Sequence, residues 1–158
     1  MPPSSESLKE QILANIVTTL EGVTGGSDYF HTIYQVKRLD TPSTSFASFP
    51  AVLVVPLSTQ YDNPRSAVVG ANHGSFQIQL SCFIRTATDI SKQIERLIHD
   101  VHTALWVDIS RGGIALNTRI VSDDVFYPSP ETEPLGGVDI SIEVDYRTPR
   151  TDLTTAVT

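Results

Sequence analysis

Residues 138–147 read VDISIEVDYR, and the order of their side chains decides the fold. Val138, Ile140, Ile142, Val144 and Tyr146 alternate without a break with Asp139, Ser141, Glu143, Asp145 and Arg147. Successive side chains of a strand point to opposite faces, so this stretch is a strand with one apolar and one wet face. Residues 75–85, SFQIQLSCFIR, repeat the pattern: Phe76, Ile78, Leu80, Cys82 and Ile84 face one way, and Ser75, Gln77, Gln79, Ser81 and Arg85 the other. Strands of this kind belong to a sheet covered on one side, as antiparallel sheets often are.

Working outward, Ala51–Val55 is continuously apolar and reads as a central strand. Tyr29–Arg38, rich in aromatic and β-branched residues, is expected to be another strand, and Gly112-Gly113 turns the chain into a further one over Ile114–Val121, irregular at Ser122-Asp123-Asp124. Two segments carry helical spacing instead. Ser7-Leu8-Lys9-Glu10 fits a capping box, and Leu8, Ile12, Ile16 and Leu20, with Leu13 and Val17 beside them, form an apolar stripe that ends at Gly22 and Gly25-Gly26. Over Asp89–Trp106, Ile90, Ile94, Leu97, Ile98, Val101, Ala104 and Leu105 fall on one arc.

The order is therefore α-β-β-β-α-β-β. No strand–helix–strand series is long enough for a doubly wound parallel sheet. The expectation is an α+β fold, a mostly antiparallel sheet with two helices packed on one face. At 158 residues the chain suits one domain, placed at 7–150, between a flexible N-terminal tail at 1–6 and a flexible C-terminal tail at 151–158.

A net charge of −7 and a pI near 4.9 argue against a binder driven by phosphate contacts and against docking on an anionic membrane. The single Cys82 excludes an intrachain disulfide framework and reads as a small core residue. No apolar run approaches the roughly 20 residues that span a bilayer, and MPPSSESLKE lacks a signal-peptide core. The expected place is a cytoplasm, or something assembled there.

The stretch IHDVHTALWVD (98–108) has the look of a metal site, since Glu95, His99 and His102 offer three ligands as catalytic zinc sites do. The same helical geometry puts His99 opposite the apolar arc, with Glu95, His102 and Trp106 near it. Ligands on an outer face lack the shielded cleft and supporting hydrogen bonds of such sites, so no metal and no cofactor are expected. A stripe of Glu95, His99, His102 and Trp106 suits a protein contact better, tryptophan being common at the centres of interfaces. EGVTGGSDYF (21–30) leads into a strand and lacks the Gly-Lys-Ser/Thr of a phosphate loop, and no G-x-S-x-G elbow is present. Asp139, Glu143 and Asp145 share a strand face without a cleft, so they read as a solvated polar face rather than a carboxylate pair for catalysis. The chain is not expected to be an enzyme. Residues 40–50 and 56–74 are long for connections between strands. The second carries Tyr61, Asp62, Arg65, Val68 and Val69, a mixture suited to a partner.

The strand FPAVLVVP, the helix IERLIHDVHTALW, the Gly-Gly turn and the closing VDISIEVDYRTPRTDL resemble the tail-terminator (tail-completion) proteins of long-tailed bacteriophages, from about Leu8 to Leu153. The resemblance implies an α+β subunit of a hexameric ring. Such a ring caps the tail tube protein's polymer, halts its growth and offers a surface to the head connector or neck protein. DNA passes through the lumen without specific binding, which suits an acidic chain. The implied location is the virion tail, assembled in the host bacterial cytoplasm. The alternatives are a neck or head-completion protein of the same assembly and, in a different class, a small cytoplasmic enzyme or ligand-binding domain.

Overall fold

A computed structural model describes residues 5–39, 45–62, 70–128 and 135–157. The elements are helix α1 (Leu8–Glu21), strands β1 (Gln35–Arg38), β2 (Ala51–Tyr61) and β3 (Ala71–Arg85), helix α2 (Ile90–Val107), and strands β4 (Asn117–Phe126) and β5 (Leu135–Pro149). They build one five-stranded sheet in the order β1-β2-β3-β5-β4. Only β1 and β2 run parallel; the other three pairs are antiparallel. This is the α+β fold expected from the alternation, in the expected order of elements.

The two alternating stretches pair with each other. β3 and β5 are in register from Ala71↔Pro149 to Arg85↔Leu135, so Phe76, Ile78, Leu80 and Cys82 lie beside Val144, Ile142, Ile140 and Val138. Those side chains meet the stripe of α1 and the arc of α2 in a single apolar cluster, which places both helices on the same face of the sheet. Burying each large aliphatic side chain contributes about 1.5–3 kcal/mol. The other face, which carries neither α1 nor α2, is the open face. It is largely polar, with Ser75, Gln77, Gln79 and Ser81 beside Asp145, Glu143, Ser141 and Asp139, although Ser81 and Asp145 are buried and Phe83 on the same face meets Phe46 and Phe126.

Local departures from expectation have local causes. Ser7 Oγ accepts the Glu10 amide at 3.3 Å, but the Glu10 carboxylate does not cap in return. It holds the Arg38 guanidinium on β1, at 2.5 and 3.0 Å. The strand expected over Tyr29–Arg38 shrinks to Gln35–Arg38, because earlier amides are taken elsewhere: Phe30 and His31 donate to Asp100, and Ile33 to Val23 O. β2 runs past Pro56 to Tyr61, with an irregularity between Pro56 and Thr59. Proline has no amide to give the ladder, so the slip falls where pairing is weakest. The described part of residues 56–74 is therefore mostly two strand ends, with Thr59–Tyr61 on Phe76–Gly74. β4 continues through Ser122-Asp123-Asp124, and the register shift falls between Ile120 and Ser122, leaving Val121 as the extra residue.

The segment 151–157, expected as a loose tail, is tied down. Leu153 O accepts the Leu8 amide at 2.8 Å, Thr154 O accepts Gln11 Nε2 at 2.8 Å, and the Val157 amide reaches Arg147 O at 2.8 Å. The first of these serves an amide at the start of α1 that the helix itself leaves unsatisfied, the second ties a side chain of α1, and the third ties the segment to β5. No helix among the described residues is long and apolar enough to cross a membrane.

Candidate functional site

The outer stripe of α2 is set by how the helix ends. Asp108 follows in extended conformation, and its carboxylate accepts the Ser110 hydroxyl at 2.7 Å and the amides of Ser110 and Gly112 at 3.0 and 2.5 Å. The Ser110 hydroxyl, followed by the Gly112 amide, holds its pKa below the usual carboxylate value. Arg111, at a left-handed φ of 51°, turns inward and is fully buried, where its guanidinium donates to Leu105 O at the helix C-terminus. Burial lowers its pKa, but a cation there meets the negative end of the helix dipole. This turn fixes the last residues of α2 with their apolar side chains outward. Trp106 is 59% exposed, and Val107, Ile109 and Leu116 are exposed as well.

Within the stripe, Glu95 and His99 are exposed as the helical geometry requires. His99 stacks edge-on against Phe30 at 5.2 Å, and Arg96 lies 5.0 Å over the same ring. His102 is mostly covered. Its Nε2 is 2.9 Å from Asp123 Oδ1 on β4, and its ring centroid is 5.5 Å from that of Trp106. The stripe therefore adjoins the β4 edge of the sheet. Trp106 touches its own helix through His102 yet stays mostly exposed. Among the described residues, no three His, Cys, Asp or Glu side chains converge as ligands.

The second candidate, at the β2–β3 hairpin, divides. Tyr61 is exposed at the end of β2, and the Asp62 amide bonds His73 O at 3.1 Å. Arg65, Val68 and Val69 lie outside the described residues. Tyr61 lines an open pocket of about 420 Å³ together with Lys9, Asn72, Tyr146 and Thr148. The Tyr146 ring reaches it by lying across Gly74, where an added Cβ would come within 2.8 Å of Tyr146 Cζ. Burial, then a hydrogen bond with Tyr61, raises the pKa of the Tyr146 hydroxyl.

The carboxylates of β5 are all engaged on the open face. Asp139 accepts from Ser81 Oγ at 2.7 Å, Asp145 accepts from Ser75 Oγ at 2.7 Å, and Glu143 holds Arg119. Burial pushes the Cys82 thiol up, away from nucleophilic chemistry.

Sequence reasoning missed one constellation. Asp100, fully buried on α2, accepts the Phe30 amide at 2.9 Å, the His31 amide at 2.8 Å and approaches His31 Nδ1 at 3.1 Å. His31 Nε2 meets Gln93 Oε1 at 2.8 Å. A carboxylate behind an imidazole is the arrangement of a general base. Here, however, Gln93 occupies the ring nitrogen that would do the work, so the trio clamps the loop after α1 onto α2. The available signal was an acid at position 100, on the flank of an otherwise apolar arc.

No protein-family model matches this chain, and no curated protein matches it in sequence.

Proposed function

We propose that the chain is a structural subunit of a long-tailed phage or phage-like particle, a tail terminator that assembles into a ring. The ring caps the tail tube, stops its polymerisation and presents a surface to the head connector. The observation that carries this reading is the apolar surface at the end of α2, where Trp106, Val107, Ile109 and Leu116 are exposed beside the stripe Glu95, His99 and His102. Four exposed apolar side chains within residues 106–116 suit a protein contact. Support comes also from the resemblance in sequence pattern and from charge. With a net charge of −7, and Arg119 on the open face already held by Glu143, the chain offers a passing duplex little to bind.

The test is electron microscopy and native mass of the protein, alone and mixed with tail tubes. Rings on tube ends and tails of normal length are expected. Trp106→Ala should weaken the assembly by about 2 kcal/mol while leaving the monomer folded. A protein that never caps tubes would refute the reading. The open pocket beside Tyr61 favours a second one, a small ligand-binding domain, which a monomer or dimer inert toward tubes would support.

A further inference from the structure

The two edges of the sheet carry opposite charge in matching places. One edge is β1, with Lys37 and Arg38; the other is β4, with Asp123 and Asp124. Each pair divides between the faces. Arg38 pairs with Val54 and Asp123 with Ile140, so both lie on the helix side, where α1 Glu10 holds Arg38 and α2 His102 holds Asp123. Lys37 pairs with Leu53 and Asp124 with Asp139, so both lie on the open side. Lys37 Nζ donates to Ser45 O, and Ser122 Oγ donates to Asp124, but among the described residues neither charge has an ion-pair partner. Exposed apolar residues flank both pairs: Tyr34 (64% exposed) and Leu39 on one edge, Val121 (61% exposed) and Val125 on the other.

We infer that copies of this chain join edge to edge, β1 of one against β4 of the next, into a sheet that continues from subunit to subunit. The inference rests on the ring reading and names its contact. Strand directions agree with it. β1 and β2 run one way, β3 runs back, β5 returns and β4 runs back again, so β1 and β4 are antiparallel to each other. Laying one subunit beside another in the same orientation therefore creates an antiparallel pair, the more stable kind. The open faces stay on one side, which brings Lys37 of one copy to the side where Asp124 of the next lies. The contact uses two different surfaces, so it is head-to-tail, and it closes into a ring when the rotation per subunit allows. It also covers the outer sides of β1 and β4, which no strand pairs among the described residues and which would otherwise invite indiscriminate pairing. The α2 stripe, linked to β4 through His102 and Asp123, borders the same contact.

The test compares the wild type with Lys37→Glu, Asp124→Lys and the double variant. Native mass and tube capping are measured at low and moderate salt, and circular dichroism confirms that each protein is folded. Either single reversal places like charges together and should weaken the contact roughly tenfold or more. The double variant, and an equal mixture of the two single variants, should regain the wild-type mass. The wild-type assembly should also loosen as salt rises, because exposed charges are screened. Single variants that assemble and cap as the wild type does would overturn the edge contact and leave the ring reading standing. So would a folded double variant that fails to recover. A wild type that forms no ring, alone or on tubes, overturns the ring reading and this contact together.

Discussion

Asp100→Asn removes one charge and changes almost no volume, which makes it a sharp test of the clamp between α2 and the loop after α1. The carboxylate accepts the amides of Phe30 and His31, and His31 Nδ1 and His99 Nδ1 lie 3.1 and 3.5 Å from it. An asparagine offers one acceptor oxygen, and its NH₂ group must confront at least one of those N–H groups. Two hydrogen bonds to a buried charged acceptor are worth about 3–6 kcal/mol together. Sparing the burial of a carboxylate returns a few kcal/mol. The net loss should be about 2 kcal/mol, and the melting temperature should fall by roughly 4–8 °C in a chain of this length. Urea titration at fixed protein concentration measures the loss, because assembly makes apparent stability depend on concentration. Hydrogen exchange locates it: the Phe30 and His31 amides should lose protection before those of β3 and β5 do. A variant within about 0.5 kcal/mol of the wild type, with both amides still protected, would show that the acid is not what holds the loop.

Three further outcomes follow from the geometry. Gly137→Ala should prevent soluble folding or cost more than about 3 kcal/mol, because its Cβ would run into the Cys82 carbonyl oxygen and lie 2.7 Å from Phe126 Cζ; thermal melts and soluble yield test this. The hydrogen bond from Arg38 holds the Glu10 pKa below the usual carboxylate value. The pair therefore adds stability above that usual value and loses it as pH falls through the depressed one. Glu10→Gln should flatten that part of an acid titration by about 1 kcal/mol or less, since both side chains are partly exposed. Replacing residues 63–69 with Asn-Gly should change stability by less than about 1 kcal/mol, because closure entropy grows slowly with loop length. If that segment reaches the tube, the shortened protein should fold and leave tails overlong; tails of normal length would place the contact elsewhere.

Period carried most of the fold. The unbroken alternation in residues 75–85 and 138–147 determined the two strands that pair at the middle of the sheet, and helical spacing located both helices to within two residues. The failures occurred where tertiary partners outbid local preference. Tyr29–Tyr34 has the composition of a strand, yet the Phe30 and His31 amides go to Asp100, a residue some seventy positions away that no local pattern reveals. Residues 56–74 look like a loop because Pro56, Asp62 and Pro64 punctuate them, but pairing with β3 carries β2 through the first of these. Of the candidate contact residues, Glu95, His99 and Trp106 lie exposed where helical geometry put them. His102 does not, because Asp123 comes from a strand whose position beside α2 is a property of the whole fold.

The central ladder has a consequence for the order of events during synthesis. β3 and β5 join positions about 50 to 80 residues apart, with α2 and β4 between them. As the chain emerges, β2 and β3 can pair at once, but β3 must wait for β5, the last strand to arrive. For several seconds at translation speeds of about 5–20 residues per second, one edge of β3 is open, with Phe76, Ile78, Leu80 and Ile84 along it. Contacts of such long range also slow the search after release. The nascent subunit is thus most vulnerable to aggregation just before its final strand appears. Agents that shield apolar edges in that interval should raise the yield of folded subunits more than agents that act on the finished protein.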